Sequence, residues 1–187
     1  MREYFYTLAA LETVKLDEKA PVSEADFLRF AEDTIDARDY EVLLRSRWGA
    51  TEPTGMLFAD QILSWEKELR LELAKTRITS LQLEPPPALP HSDGSYNLLD
   101  KVRAVLALDS PLDMEIALNQ MRWSFVEDMG ATHFFDLEAL VVYYLKLQIV
   151  LRQENFQKEL GQEAFEKAYA AVNEGFKITT LRKWDEK

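Results

Sequence analysis

Residues 136–151, DLEALVVYYLKLQIVL, are the most apolar stretch of this 187-residue chain. The apolar side chains recur at the three- and four-residue spacing of a helix, and Asp136 is a good N-cap residue. The pattern predicts a helix from Asp136 to about Leu160, and its apolar character places that helix at the centre of the fold. The longest nearly apolar run, Ala139 to Leu151, is well short of the roughly 20 residues that a membrane span needs.

Helical spacing of apolar residues also continues on both sides of this stretch. Ser23 and either Asp109 or Ser110 are suitable N-caps, and Pro111 suits the first position of a helix. Only 6 Gly and 7 Pro interrupt the chain. The predicted fold class is therefore all-α, a multi-helix bundle of about seven helices without a sheet. The predicted helices cover residues 2–12, 24–35, 39–48, 57–81, 98–108 and 111–129, then the stretch from Asp136, and a last helix after Gly161.

Residues 83–96 form the best boundary in the chain. They contain three consecutive prolines, His91 and an Asp-Gly pair, and such a segment cannot be a helix or an interior strand. The sequence thus predicts an N-terminal helical part over residues 1–82, a Pro-rich loop over 83–96 and a C-terminal helical bundle over 97–187.

Charge and cysteine content restrict the function. The chain has 22 Lys and Arg against 33 Asp and Glu, a formal net charge of −11, so nucleic acid is a poor partner. It has no cysteine, which excludes thiolate catalysis and cysteine-ligated metal sites. The first 16 residues lack the layout of a signal peptide, and we therefore expect a cytoplasmic protein.

The long predicted helix over residues 57–81 has one apolar stripe and one charged side. Glu66, Glu68 and Glu72 alternate with basic residues, which predicts a solvated face with a Glu66–Arg70 ion pair. Large aromatic residues on apolar stripes belong to a core more often than to a cofactor site. The predicted core aromatics, from this helix and from later ones, are Trp65, Trp123, Tyr144 and Phe165.

No known catalytic motif is present. The sequence has no phosphate loop, no nucleophile elbow and no dinucleotide-binding turn, and its 2 histidines are too few for a three-histidine zinc site. We predict no catalytic, cofactor-binding or metal-binding residues. His133 is interpreted as a loop residue that caps a helix or packs against Phe134 and Phe135, and the alternative is a catalytic base paired with Asp136.

Several short motifs follow one another in a familiar order. They are Tyr4-Phe5-Tyr6-x-Leu8, Asp17 with Pro21, Trp65-Glu66-x-x-Leu69-Arg70, Ser110-Pro111-Leu112-x-x-Glu115, Arg122-Trp123, His133-Phe134-x-Asp136, and Tyr144-x-Lys146-Leu147-Gln148 with Arg152. Over most of its length the chain resembles an uncharacterised bacterial family encoded beside the V-type ATP synthase. That family is distantly similar to the helical funnel of V/A-type ATPases, which sits between the membrane ring and the central shaft and is called C in those enzymes and d in the eukaryotic one.

The resemblance implies a helical fold like that of the funnel, in a non-catalytic component or assembly factor of a bacterial V-type ATP synthase. Its partners would be other V-type ATP synthase subunits, on the cytoplasmic side of the membrane ring or on the central shaft, and it would be peripheral to the membrane at most. The chemistry of ATP would be done by those other subunits. The alternative is a free-standing helical adaptor or scaffold protein without enzymatic activity. The sequence does not assign the partner-binding residues.

Overall fold

The computed structural model describes residues 4–84, 90 and 94–156. These residues form seven α-helices and no strand, so the all-α prediction is confirmed for this part of the chain. The residues up to Leu151 form one compact unit. The helices are α1 Phe5–Ala9, α2 Glu24–Thr34, α3 Ala37–Arg45, α4 Leu57–Ser80, α5 Leu99–Leu106, α6 Pro111–Gly130 and α7 Leu137–Glu154.

Side-chain caps fix the starts of three helices where the sequence predicts them. Ser23 caps α2, Ser110 caps α6 and Asp136 caps α7, each by accepting a hydrogen bond from the backbone N–H three residues later. Pro111 occupies the first turn of α6, where its missing N–H is not needed. These starts were predictable because a cap depends only on residues close in sequence.

The ends of the helices differ more from the prediction. The helix expected over residues 39–48 begins at Ala37, because Asp36 caps it, and ends at Arg45. Trp48 lies beyond it and contacts α7 instead: its indole Nε1 donates to the Leu145 carbonyl at 2.9 Å. The first helix is also shorter than expected, and α7 ends at Glu154 rather than about Leu160. Phe165 and the predicted last helix lie outside the described residues.

The first hydrophobic cluster is built around α7. Seven of its side chains are buried, and they pack against residues from α2, α3, α4 and α6. Tyr144 is in this cluster, with its ring 5.4 Å from that of Phe27. Trp123 of α6 belongs to it as well. A helix with buried residues all round must lie within the core, which is where the sequence places α7.

The second hydrophobic cluster joins α4, α5 and α6. Trp65, which the sequence predicts to be a core residue, lies in it and stacks on Phe125 at 4.4 Å between ring centroids. Both clusters contain residues from before and after the Pro-rich segment. The predicted boundaries at residues 83 and 96 stay a prediction. No helix in the described ranges is both long and apolar enough to cross a bilayer.

Candidate functional site

His133 lies in the turn between α6 and α7. Its Nδ1 is 2.7 Å from Oδ2 of Asp136, whose other oxygen accepts the backbone N–H of Ala139 and caps α7. The imidazole contacts the ring of Phe58 edge-on, with 4.9 Å between ring centroids. His133 is thus a loop residue, as the sequence predicts, but the ring that contacts its imidazole is that of Phe58 on α4, whereas the prediction named Phe134 and Phe135.

A metal ion is one ligand that this turn could hold. Donor atoms of His133, Asp136 and Glu138 lie within 4.8 Å of one another. Imidazole nitrogen and carboxylate oxygen together suit a divalent transition metal. However, both oxygens of Asp136 already accept hydrogen bonds, and the N-terminus of a helix carries partial positive charge that opposes a cation. The geometry favours a structural role, and the absence of a metal site stays a prediction.

Four exposed aromatic residues lie on α1 and in this turn, and we call them the aromatic patch: Phe5, Tyr6, Phe135 and its sequence neighbour Phe134. Tyr6 is 87% exposed and Phe134 is 67% exposed. The ring of Phe5 lies 4.8 Å from that of Phe135 and 5.5 Å from that of Tyr6. The patch is assembled from two segments that are more than a hundred residues apart in sequence.

A backbone hydrogen bond from Tyr4 links the two halves of the aromatic patch. The backbone N–H of Tyr4 donates to the carbonyl of Phe135, and its hydroxyl donates to Asp39 of α3. Tyr4 itself is buried. A helix over residues 2–12 is predicted from spacing alone, and so short an apolar stripe does not show which of its aromatic residues faces the core. Only Tyr4 of the three consecutive aromatics does so.

A buried ion cluster, which we call the Glu66 cluster, lies between α4 and α6. Oε1 of Glu66 accepts from Arg70 Nε at 2.6 Å and from Arg122 Nη2 at 3.1 Å, while Oε2 accepts from Arg122 Nε at 3.0 Å. Nη1 of Arg122 also donates to Oδ1 of Asn119 at 3.0 Å. The side chains of Glu66 and Arg122 are only 3% and 6% exposed.

The Glu66 cluster corrects the prediction of a solvated acidic face on α4. The Glu66–Arg70 pair exists, but Glu66 and Glu68 are buried. One signal could have indicated this: Glu66 lies four residues after Ile62 and three before Leu69, so it shares their buried stripe. The basic residue that pairs with it inside the fold comes from α6, 56 residues away.

The remaining motif residues on α7 tie this helix to its neighbours. The hydroxyl of Tyr144 donates to Glu24 of α2 at 2.7 Å, and burial together with this hydrogen bond raises the tyrosine pKa. Lys146 donates to Glu127 at 3.0 Å and lies 4.5 Å above the ring of Trp123. These contacts hold α7 against α2 and α6.

By its described fold, this is an all-α protein of packed helices with an exposed aromatic patch and a buried ion cluster. Residues 95–176, less than half of the chain, match a family described as "Protein of unknown function (DUF2764)". The match takes in α5, α6 and α7, and with them Arg122, His133 and Asp136. Searches of the curated proteins and of the solved structures gave no match.

Proposed function

We propose that this protein is a non-catalytic component or assembly factor of a bacterial V-type ATP synthase. In this role it docks through the aromatic patch on the cytoplasmic side of the membrane ring or on the central shaft. The proposal is supported by the ordered motifs that resemble the family encoded beside that enzyme. It is further supported by the position of those motifs in the fold.

The observation that carries the proposal is the composition of the aromatic patch. The first motif supplies Phe5 and Tyr6, and the motif around His133 supplies Phe134, with Phe135 beside it. An exposed cluster of large aromatic residues is more often an interaction site than a surface that only faces solvent. Such residues are also enriched among those that contribute most of the free energy of binding. Two separate motifs thus converge on one surface that is suited to a protein partner.

The charge of the chain is consistent with such a partner. A net charge of −11 favours basic surfaces, such as basic cytoplasmic loops of a membrane ring. The aromatic patch would provide the buried centre of the contact, and polar groups at its edge would provide the rim. A stable contact of this kind buries on the order of 1,600 Å² in total.

Co-purification with tagged V-type ATP synthase subunits from native membranes tests the proposal. A variant that combines Tyr6→Ser and Phe134→Ser should recover at least about tenfold less of those subunits, because it removes two anchors of the patch. Both side chains are exposed, so the fold is spared. Leu57→Ser is the matched control, since Leu57 is 76% exposed and lies outside the patch.

The proposal fails if the unaltered protein recovers none of these subunits and deletion of its gene leaves proton-driven ATP synthesis normal. The free-standing helical adaptor then replaces it, because the same aromatic patch could serve another partner. The genes beside the coding sequence separate the two hypotheses, since a rotary component should be encoded among the other subunits.

A further inference from the structure

A cavity opens beside the Glu66 cluster and has no role in the proposed docking. It has a volume of about 170 Å³, and its lining includes Gly49, Ala50 and Thr51 from the loop after α3, and Glu66, Lys67 and Arg70 from α4. This volume is below the range of about 300–1,000 Å³ typical of sites for drug-sized molecules. The cavity is therefore suited to a small ligand or to one functional group of a larger molecule.

Positive charge dominates this cavity. Lys67 and Arg70 contribute two cations, while the one carboxylate, that of Glu66, already accepts two hydrogen bonds from Arg122 behind it. Lys67 and Arg70 lie in a chain with a net charge of −11, so the local excess of positive charge is opposite in sign to the molecule as a whole. Such a local reversal attracts anions.

The guanidinium of Arg70 is held in one orientation by a hydrogen bond from Nε, and its Nη donors remain available. Its Nε donates to Glu66 at 2.6 Å, which fixes the plane of the group, while half of the side chain stays exposed. The loop backbone comes close to the other edge: a Cβ at Gly49 would lie 3.4 Å from Nη1 and 3.5 Å from Nη2. Gly49 adopts φ +85°, which other residues rarely tolerate, and this permits the approach. Among the described residues, the Nη groups of Arg70 form no hydrogen bond.

We infer that this cavity binds a small oxyanion, either a phosphate or a carboxylate group. The Nη groups of Arg70 would donate the paired hydrogen bonds that a planar guanidinium makes to such groups, and Lys67 would add a point charge. The positive charge of Arg122 compensates the negative charge of Glu66, so this carboxylate in the cavity lining repels the anion little. This site is independent of the proposed docking, because it shares no residue with the aromatic patch and needs no rotary partner.

Calorimetric titration of the full chain with inorganic phosphate, at constant ionic strength set by sodium chloride, tests the inference. We expect saturable binding with a dissociation constant on the order of 1 mM or tighter. Lys67→Gln and Arg70→Gln should each weaken binding by about tenfold or more, since each removes one of the two cations. Arg29→Gln is the matched control, because it also removes one exposed positive charge, on α2, and should leave binding unchanged.

A parallel titration with acetate identifies the group. Phosphate affinity above that of acetate assigns a phosphate, and the reverse order assigns a carboxylate. If Arg70→Gln fails to fold, Lys67→Gln still decides, because Lys67 is exposed and its loss leaves the buried groups in place. The inference is overturned if neither anion gives a saturable heat of binding at anion concentrations roughly tenfold above 1 mM. It is equally overturned if Lys67→Gln binds as tightly as the unaltered protein.

Discussion

Glu66 illustrates what a buried charge requires of its surroundings. Transfer of a carboxylate out of water is costly unless hydrogen bonds and an opposite charge replace the lost hydration. Here three hydrogen bonds from two guanidinium groups do so. The Glu66–Arg122 ion pair fixes how α4 and α6 are aligned along each other, since a shift of either helix by one residue would separate the two side chains.

Loss of Arg122 should therefore destabilise the fold strongly. We expect Arg122→Ala to lower the free energy of unfolding by about 3–5 kcal/mol, because it leaves the buried carboxylate with Arg70 alone. Urea denaturation measures this loss. A double variant, Glu66→Leu with Arg122→Met, should lie much closer to the unaltered protein, since it removes both charges. A single variant as stable as the double variant would contradict this account.

Trp123 is the large aromatic that joins α6 to the core around α7. Its truncation to Ala should cost about 3–5 kcal/mol, since it removes a buried ring and leaves a cavity. It also removes the surface beneath Lys146. The midpoint of denaturation should shift accordingly, whereas Phe134→Ala, at an exposed position, should change stability by less than about 0.5 kcal/mol. An unchanged midpoint for Trp123→Ala would refute this placement.

Two adjacent tyrosines should make the fold sensitive to alkaline pH. Burial and the nearby Glu12 raise the pKa of Tyr143 from 10.0 to about 12, and burial and Glu24 raise that of Tyr144 further. Above pH 10 the unfolded chain releases these protons first, so the free energy of unfolding falls as pH rises from 10 towards 12. The slope is at most about 1.4 kcal/mol per pH unit for each tyrosine.

Phenylalanine variants separate the two tyrosines. Tyr143→Phe should not reduce stability near neutral pH, because its buried hydroxyl has no hydrogen-bond partner among the described residues. It should also flatten the alkaline decline, measured as urea midpoints between pH 9 and 12. Tyr144→Phe should cost about 1 kcal/mol or more, since it removes the hydrogen bond to Glu24. Equal effects of the two variants at neutral pH would contradict this difference.

At the scale of helices, local signals explain what was predictable. Caps such as Ser23 and Ser110 act within one turn, and a helical stripe needs only a few turns of sequence, so starts and apolar faces could be predicted. The ends depend on distant contacts. Helix α3 ends before Trp48, whose backbone N–H donates to Gln148 and whose indole donates to Leu145, 100 and 97 residues away. No residue near Arg45 in the sequence indicates that the helix ends there.

The contact between the end of α6 and α7 is another long-range constraint. At Gly130 an added Cβ would lie 2.8 Å from one methyl of Val142 and 3.1 Å from the other. Valine is stiff at χ1, so it cannot rotate away cheaply. We expect Gly130→Ala to lower stability by about 1–3 kcal/mol, despite the better helix propensity of alanine.

Calorimetric unfolding of the single and double variants tests this steric account. Val142→Ala should restore much of the stability lost in Gly130→Ala. The double variant should therefore lose less stability than the two single variants lose in total. Additive losses would mean that the two residues do not compete for space.

At the scale of the whole unit, the aromatic patch and the Glu66 cluster were the features that the sequence predicted least well. The aromatic patch joins α1 to the turn before α7, and the Glu66 cluster joins α4 to α6. Each half is visible in the sequence as a motif, but nothing local indicates that the halves meet. The pairing of His133 with Asp136 belonged only to the alternative interpretation of His133, although the two residues are just three apart, and the ring that contacts His133 comes from α4.

The proposed docking also predicts how binding should depend on salt. If the −11 charge steers the chain to a basic surface, the association rate should fall as salt rises from 0.01 M to 0.15 M, where screening shortens the electrostatic reach from about 30 Å to about 8 Å. Stopped-flow mixing with a purified rotary subunit that co-purifies measures this rate. Phe134→Ser should instead speed dissociation and leave the salt dependence of association unchanged, since the aromatic patch acts after encounter. An association rate that stays constant across this range would show that charge does not guide the contact, and the case for a basic partner surface would then be lost.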